Sequence, residues 1–118
     1  MNTLSYHIVV RTPAGIRIGD IFFDFTDEKV SGRIKAPFFE PEFHGIINKD
    51  DTLRLFITLD QNGAKQEYEC TGRISAYAVH ISVPTEDFTY EIDGTTTRAI
   101  WEREHYEAFI QAKIFLVV

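Results

Sequence analysis

The chain has 118 residues, of which 44% are hydrophobic and 14% aromatic, which is enough apolar material for one folded core and excludes the disordered class. Its net charge of −6 at pH 7 argues against the basic surface that binding to a nucleic-acid backbone requires. Cys70 is the single cysteine, which excludes an internal disulfide and a cysteine-rich metal site. We therefore expect one domain, residues 1–118, that binds no nucleic acid, metal or cofactor.

The N-terminal part of the chain predicts two strands joined by a tight turn. Apolar residues alternate from Tyr6 to Val10, and residues 12–15 (Thr-Pro-Ala-Gly) are typical of a hairpin turn. A second strand is predicted from Ile16 to Phe25, and its apolar residues change face part of the way along. A bulge near Gly19 would explain this change of face.

A proline-rich segment separates the next two strands. Residues 30–36 and 43–47 alternate as strand residues do. Pro37 and Pro41 lie between them and cannot donate backbone hydrogen bonds to a sheet. We expect residues 37–41 to form an edge, a bulge or a flap.

The second half of the chain shows the clearest strand pattern. Residues 48–51 form a polar turn, and apolar residues then alternate from Leu53 to Leu59. The pair Asn62-Gly63 follows, which is a strong hairpin signal. A meander of three further strands is predicted from there to Ile92.

These patterns predict about eight strands joined by short turns. Helix-length insertions do not separate them, so the crossover connections of a parallel sheet are excluded. Successive hairpins with one apolar face each must close on themselves or stack as two sheets, and closure removes the exposed edges. We predict an all-β fold, an eight-stranded antiparallel up-and-down barrel over residues 1–94 with a lipocalin-like shape. A β-sandwich is the alternative.

Residues 95–118 have a different pattern, which predicts a helical or strand-forming tail. Thr97 is a suitable N-cap for a helix. The helical stripe consists of Trp101, His105, Ala108, Phe109 and Ala112. The sequence ends with five apolar residues, 114–118, which need to be covered. We expect a short C-terminal helix and a possible final strand, with the tail either packing on the barrel or joining two subunits of a homodimer.

One stretch of the chain resembles a known family. An aromatic-x-Gly-apolar-apolar segment, Phe43 to Ile47, follows residues 19–33 and leads into a polar loop and an apolar strand. This order resembles the negative-regulator family typified by GrlR over residues 16–60. The resemblance implies a small eight-stranded barrel similar to lipocalins and fatty-acid-binding proteins, usually dimeric, whose acidic loop contacts a transcriptional activator. The corresponding partner loop, less acidic in this chain, consists of Asn48, Lys49, Asp50 and Asp51.

The inward positions of the predicted barrel form a candidate ligand site. An eight-stranded barrel is wide enough to be filled by side chains or to hold one small ligand. Tyrosine hydroxyls on the last strands either orient the polar end of such a ligand or reach the rim and meet water. The candidate ligand-binding residues are Tyr68, Tyr77, Tyr90, Phe88, Leu55 and Ile57.

The titratable residues do not predict a catalytic site. Glu40, Glu42 and His44 share one strand phase, but this phase is predicted to face outward, so solvated surface groups are favoured over an acid–base or metal site. Asp20 and Asp24 are expected to face outward as well. An inward carboxylate at either position would have a raised pKa and possible catalytic value.

Three functional hypotheses follow. The first is a non-enzymatic dimeric barrel that binds a small apolar ligand or a partner protein, and it predicts a continuous cavity. The second is a regulatory protein-interaction module with a filled core. The third is a small-barrel isomerase or cyclase, which requires an ionisable group that points into a cavity. Because the sequence shows neither a secretory leader pattern nor an apolar run of spanning length, we expect a cytoplasmic location.

Overall fold

The computed structural model describes residues 2–61, 63–97, 101 and 103–105. Within these residues the chain forms eight β-strands joined by short turns. The strands are β1 (Asn2–Thr12), β2 (Gly15–Thr26), β3 (Lys29–Lys35), β4 (Glu42–Ile47), β5 (Thr52–Gln61), β6 (Ala64–Ile74), β7 (Ala78–Pro84) and β8 (Thr89–Thr95).

The eight strands close into one antiparallel barrel. Each strand pairs with the next in chain order, and β1 also pairs with β8, with His7 opposite Thr95 and Arg11 opposite Glu91. This β1–β8 seam removes the sheet edges that would otherwise invite association with another chain. The predicted eight-stranded up-and-down barrel is confirmed, and the β-sandwich alternative is wrong.

Strand residues alternate between the barrel interior and the outer surface, and the interior set is almost wholly apolar. The largest fully buried side chains inside the barrel include Tyr6, Ile8, Ile21, Phe23, Leu55 and Ile92. Each such side chain contributes roughly 1.5–3 kcal/mol when it leaves water, against the entropy lost by ordering it. Cys70 belongs to this set, and burial raises the pKa of its thiol to about 12, so it packs as a small apolar group.

The pairing of β2 differs from the expectation. β1 and β2 pair residue for residue along their whole length, so the predicted bulge near Gly19 is wrong. In an unbroken strand, residues two apart face the same side. Arg17 therefore has the same inward phase as Ile21 and Phe23, and it lies at the end of the barrel beyond them.

Two apolar residues on the outer face of β2 belong to a second, smaller core. Ile16 and Ile18 pack against Val9 and Trp101, both of which are fully buried. A residue from the C-terminal segment thus covers this patch on the outside of the barrel. The first part of the strand has apolar residues on both faces because both are covered there. Further along the outer face, Phe22 lies under the guanidinium of Arg33, which is 5.5 Å from the ring centroid.

A glycine inside the barrel allows the strands to approach closely. A Cβ atom on Gly32 would lie 2.0 Å from the carbonyl oxygen of Phe22 and 2.6 Å from Cζ of Phe43. A side chain at this position would displace the strand next to it or the ring. Inward glycines of this kind let the strands bend where a barrel closes.

The predicted C-terminal helix lies only partly within the described residues. Backbone hydrogen bonds join the N–H of Trp101 to the carbonyl oxygen of Thr97, and the N–H of His105 to that of Trp101, both at 2.9 Å. Residues 108–112 of the helical stripe and the apolar residues 114–118 lie outside the described residues. The helix, the final strand and the tail-mediated dimer therefore stay predictions. In the part of the chain that the structure describes, none of the helices is long and apolar enough to cross a membrane.

Candidate functional site

One end of the barrel, which we call the open end, contains the β1–β2, β3–β4, β5–β6 and β7–β8 turns. A pocket of about 740 Å³ lies there, within the size range of small-molecule sites. Its walls include Arg17, Phe38, Phe39, Leu59 and Tyr90. Below the pocket, the interior positions of the strands are occupied by buried apolar side chains. A ligand therefore has room at the open end. A second pocket, of about 500 Å³, lies near the other end and is lined by residues that include Asp51, Arg73, His80 and His105.

Arg17 supplies a buried positive charge to the pocket. Its side chain is 6% exposed, and a guanidinium remains protonated throughout the physiological range. Nη1 donates to the carbonyl oxygen of Ile16 at 3.1 Å, and Nη2 donates to that of Ala14 at 3.4 Å. These bonds tie the guanidinium to the β1–β2 turn. Arg17 is buried, whereas the other charged side chains that line the pocket are exposed: Glu40, Glu42, Asp60 and Lys65.

Aromatic rings form the apolar wall of the pocket. The ring of Phe39 stacks on that of Tyr90, with centroids 5.5 Å apart and planes 16° apart. Phe88 packs edge-on against Tyr90 at 5.3 Å. Tyr90 is 9% exposed, so most of this ring is already buried by its neighbours. Contacts between offset or edge-on rings hold each ring in a defined orientation.

The tight turn Pro37-Phe38 forms one lip of the pocket. The N–H of Ala36 donates to the carbonyl oxygen of Phe39 at 3.1 Å, and the reverse bond measures 3.0 Å. Phe38 adopts a φ of 59°, in the left-handed region. Its side chain is 97% exposed. Residues 37–41, which were expected to be an edge, a bulge or a flap, thus form a protruding turn and the return into β4.

The sequence-predicted ligand residues occupy different parts of the barrel. Tyr90 lines the pocket, and Phe88 packs beside it. Leu55 and Ile57 are buried in the packed interior. The ring of Tyr68 is buried as well, and its hydroxyl donates to a carboxylate oxygen of the β7–β8 turn at 3.0 Å. Only part of the predicted set therefore lies where a ligand would bind.

The prediction that Tyr77 faces the interior is wrong. Its side chain is 76% exposed, in the β6–β7 turn at the other end of the barrel. Ser75 Oγ accepts hydrogen bonds from the backbone N–H groups of Tyr77, at 3.2 Å, and Ala78, at 3.1 Å. This side-chain turn ends the extended conformation, so the alternation of β7 does not reach back to residue 77.

The sequence-predicted partner loop, residues 48–51, lies at this other end, which we call the closed end. Asp50 Oδ1 accepts from the hydroxyl of Thr52 at 2.6 Å and from its backbone N–H at 3.3 Å. These bonds lower the pKa of Asp50, and the hydroxyl bond is the largest cause. Asn48 Nδ2 donates to Thr52 Oγ1 at 3.0 Å. The loop is exposed and internally bonded, and its role as a partner surface stays a prediction.

Glu40, Glu42 and His44 do not form a site with one another. All three are exposed, as the outward phase predicts, and Glu40 and Glu42, but not His44, line the pocket at the open end. His44 Nε2 lies 3.3 Å from Glu67 Oε2 on another strand, and its ring stacks on Phe56 with centroids 5.6 Å apart. These contacts are cross-strand pairs on the wet face of the barrel.

Asp20 and Asp24 also face outward, as predicted. Asp20 Oδ1 lies 2.8 Å from Nδ1 of His7, its partner across the β1–β2 pair. Asp24 is exposed and accepts from the hydroxyl of Thr3 at 3.3 Å. Neither carboxylate lines the pocket, so neither provides the inward acid that the isomerase hypothesis requires.

A Ser-His-Asp arrangement occurs on the outer face of β7 and β8, but it is not organised as a nucleophile. His80 Nδ1 lies 2.5 Å from Asp93 Oδ1, and His80 Nε2 lies 3.3 Å from Ser82 Oγ. The Ser82 hydroxyl donates to Glu91 at 2.7 Å, so its proton is directed to a carboxylate and not to the imidazole. In the described residues, no group of three or more His, Cys, Asp or Glu side chains is placed to hold a metal ion.

The sequence-predicted ligand set lacks most of the residues that line the pocket, among them Arg17, Phe38 and Phe39. For Arg17 a signal was present, because it precedes Ile21 by an even number of positions and so shares its face in an unbroken strand. For the two phenylalanines, the preceding proline indicates a turn. It does not say which ring packs inward and which remains exposed.

Comparison with known proteins adds information about the fold. No protein-family model and no curated protein matches this chain. Among solved structures, the chain is similar to a redesigned β-barrel, mFAP1, which was determined bound to DFHBI. The two are 15% identical with a TM-score of 0.52, and the match covers 80% of this chain and 92% of mFAP1. At this identity the likeness shows the β-barrel fold alone.

Proposed function

We propose that the protein binds one small molecule in the pocket at the open end. The observation that carries this proposal is the pocket itself, about 740 Å³ in volume, where an aromatic wall and a buried positive charge converge. Apolar surface combined with a few fixed polar groups is the usual composition of a ligand site. This is the small-ligand form of the first hypothesis, but the continuous cavity that this hypothesis predicts is wrong, because buried apolar side chains fill the interior and the pocket is confined to one end.

The two sides of the pocket suggest which molecule would bind. A flat apolar part suits the Phe39 and Tyr90 side, because aromatic faces gain most from stacked or edge-on contact. A carboxylate or another hydrogen-bond acceptor suits the side of Arg17, because this side chain has a permanent positive charge and no acceptor atom. The proposed ligand is therefore a ring-containing molecule with one acceptor or anionic group.

The similarity to mFAP1 supports the proposal in a limited way. That barrel was determined bound to DFHBI, so a barrel of comparable size accommodates a ligand. The carboxylates of Glu40, Glu42 and Asp60 line the pocket but are exposed, so they lack the inward, desolvated setting that the isomerase hypothesis requires. We propose a binding protein and not an enzyme.

A titration followed by amide NMR tests the proposal. ¹⁵N-labelled protein is titrated with DFHBI, 2-naphthoate and 2-naphthalenemethanol, the last two sharing a ring system but differing in charge. We expect shifts at Phe39, Leu59 and Tyr90, with 2-naphthoate binding more tightly than the alcohol. Arg17→Met should weaken 2-naphthoate binding about tenfold and leave the alcohol little changed, because it removes the charge and keeps the apolar stem.

Arg33→Met is the matched control for charge removal. Arg33 lies on the outer surface, over the ring of Phe22 at 5.5 Å, and is exposed. The Arg33→Met variant should have unchanged affinity for all three probes. Absence of pocket shifts with every probe at millimolar concentration would contradict the proposal and favour the interaction module with a filled core.

A further inference from the structure

The Pro37-Phe38 turn has a side chain that its backbone conformation disfavours. Among the described residues, three that are not glycine have positive φ: Asp27 at 56°, Phe38 at 59° and Asp51 at 63°. Aspartate tolerates the left-handed region because its short polar side chain bonds locally, whereas a bulky residue there is an outlier. Phe38 thus has a conformation for which glycine would be the more stable choice.

The same side chain is unfavourable in a second respect, because its ring lies in water. Phe38 is 97% exposed, while most other large apolar side chains of the described chain are buried or half-buried. Backbone strain and an exposed aromatic ring both oppose stability, and both would be relieved by one substitution. Disfavoured conformations of this kind concentrate at ligand clamps and similar functional positions.

The position of the turn relates it to the pocket. Phe38 and Phe39 both border the pocket, and they differ in how they are held. Phe39 is anchored, since its ring stacks on Tyr90 and its backbone pairs with Ala36. Phe38 is the residue directly before this anchor, and its exposed side chain already borders the pocket.

We infer that Phe38 is a specificity-determining residue that packs its ring on the outward face of the bound molecule, opposite the Tyr90 and Phe39 side. This inference rests on the proposed function and adds a requirement to it. The ligand should be flat and should leave one apolar face at the pocket mouth, so that covering this face also removes the Phe38 ring from water.

A set of substitutions separates the ring from the strain. Phe38→Gly removes both, Phe38→Ala removes the ring and keeps the strain, and Phe38→Tyr keeps both. We expect Phe38→Gly and Phe38→Ala to weaken 2-naphthoate binding about three- to tenfold, the equivalent of one aromatic contact. Phe38→Tyr should bind like the native protein. Phe38→Gly alone should raise the urea midpoint of unfolding.

Asp27→Gly provides the matched control for the turn. It replaces a left-handed residue by glycine at the closed end, far from the pocket. It should leave the affinity for 2-naphthoate unchanged, whatever its effect on the urea midpoint. Stability and binding are thus measured on the same proteins by two independent readouts.

A second measurement follows the side chain directly. Trp101 is the single tryptophan, so the native protein gives one indole N–H resonance, and Phe38→Trp adds a second from the turn. On addition of 2-naphthoate, this added indole resonance should shift with the same midpoint as the Tyr90 amide. The Trp101 resonance should stay in place, because Trp101 is buried in the outer core.

The outcomes distinguish this inference from the proposed function. If the native protein binds 2-naphthoate while Phe38→Gly and Phe38→Ala bind it equally well and the added indole resonance of Phe38→Trp does not move, the role of Phe38 is wrong and the pocket stands. If the native protein binds none of the probes, both fail. Weakened binding in Phe38→Gly together with a raised urea midpoint would support the inference and rule out a general loss of folding.

Discussion

The two ends of the barrel are built from the same kind of hairpin but are secured in different ways. At the closed end, the buried hydroxyl of Tyr6 donates to the carbonyl oxygen of Ser75 at 2.6 Å, and the N–H of Ile74 donates to that of Asp51 at 3.1 Å. At the open end, the β3–β4 turn is held by backbone hydrogen bonds within two residue pairs, Ala36–Phe39 and Ile34–Pro41, and by stacking of Phe39 on Tyr90. The closed end is thus tied by a buried hydroxyl, whereas the open end has the pocket of about 740 Å³ and the disfavoured backbone conformation of Phe38.

The largest expected effect compares a tyrosine at each end. Tyr6→Ala should lower the free energy of unfolding by about 3–5 kcal/mol, because it leaves an enclosed cavity and removes a buried hydrogen bond. Tyr90→Ala should cost less, about 1–3 kcal/mol, because its ring borders a pocket that already opens to water. Urea unfolding of both variants measures the difference. Equal losses at the two ends would remove the distinction between them.

The second-largest expected effect is a loss of unfolding free energy at high pH, through Tyr6 at the closed end. Burial raises the pKa of Tyr6 from 10.0 to about 12, so the folded protein binds this proton more tightly than the unfolded chain. The resulting stability is complete below pH 10 and is lost as the pH rises from 10 towards 12, by about 2–3 kcal/mol. Unfolding free energies measured between pH 8 and pH 12 should show this fall.

Tyr6→Phe provides the control for the alkaline effect. It should cost about 1 kcal/mol at pH 7, where the hydrogen bond to Ser75 is lost, and should make the fall above pH 10 shallower. The part due to Cys70, whose pKa rises from 9.0 to about 12, should remain and begin near pH 9. An unchanged slope above pH 10 in this variant would show that Tyr6 is not responsible.

Relief of turn strain gives a smaller effect of opposite sign. Phe38→Gly should stabilise the protein by about 1 kcal/mol, because glycine adopts positive φ without a steric penalty. Asp27→Gly should stabilise the protein by a smaller amount, since aspartate already tolerates the left-handed region. Thermal unfolding of both variants checks the ranking. A destabilised Phe38→Gly protein would show that the ring contributes packing in the unbound state.

The smallest effect concerns one carboxylate at each end. The pKa of Asp50 is lowered mainly by its bond from the Thr52 hydroxyl, and that of Glu86 by its own backbone N–H and then by Tyr68. Both stabilise the fold above their ordinary pKa values of 3.8 and 4.5, and this contribution is lost as the pH falls through the lowered values. Acid should therefore weaken both ends slightly.

Carboxyl ¹³C titration between pH 6 and pH 2 measures these two groups separately. Thr52→Val should move the pKa of Asp50 upwards towards 3.8 and leave that of Glu86 in place. Tyr68→Phe should move only the pKa of Glu86 upwards. If either variant shifts both groups, the ends are coupled and cannot be treated as independent.

Much of the barrel was predictable because the signal is local. In β5, Leu53, Leu55, Ile57 and Leu59 share one face, and Phe56 is the one apolar residue opposite them between residues 53 and 59, so a period of two leaves one face to bury. A series of such strands joined by short turns can either close into a barrel or stack as two sheets. The number of strands and their order therefore follow from the sequence.

The pocket was less predictable because its residues depend on distant contacts. The change of face in β2 reflects the cover that Trp101 places over Ile16 and Ile18, and neighbouring residues give no sign of this cover. From the sequence alone, a bulge near Gly19 explains the change of face more simply, and such a bulge would place Arg17 on the outer face. At Phe38, proline indicates a turn, but the left-handed φ is set by the pairing of the residues on either side.

The β1–β8 seam has a consequence for how the molecule is made. The two strands lie near opposite ends of the described chain, and their contacts form only after a long loop has been closed. Contacts between residues so distant in sequence form slowly, so the local hairpins should appear first and the seam last. The pocket spans this seam, with Thr12 on β1 and Tyr90 on β8. A newly synthesised chain therefore gains its binding site at the final step, and a bound molecule marks a finished barrel.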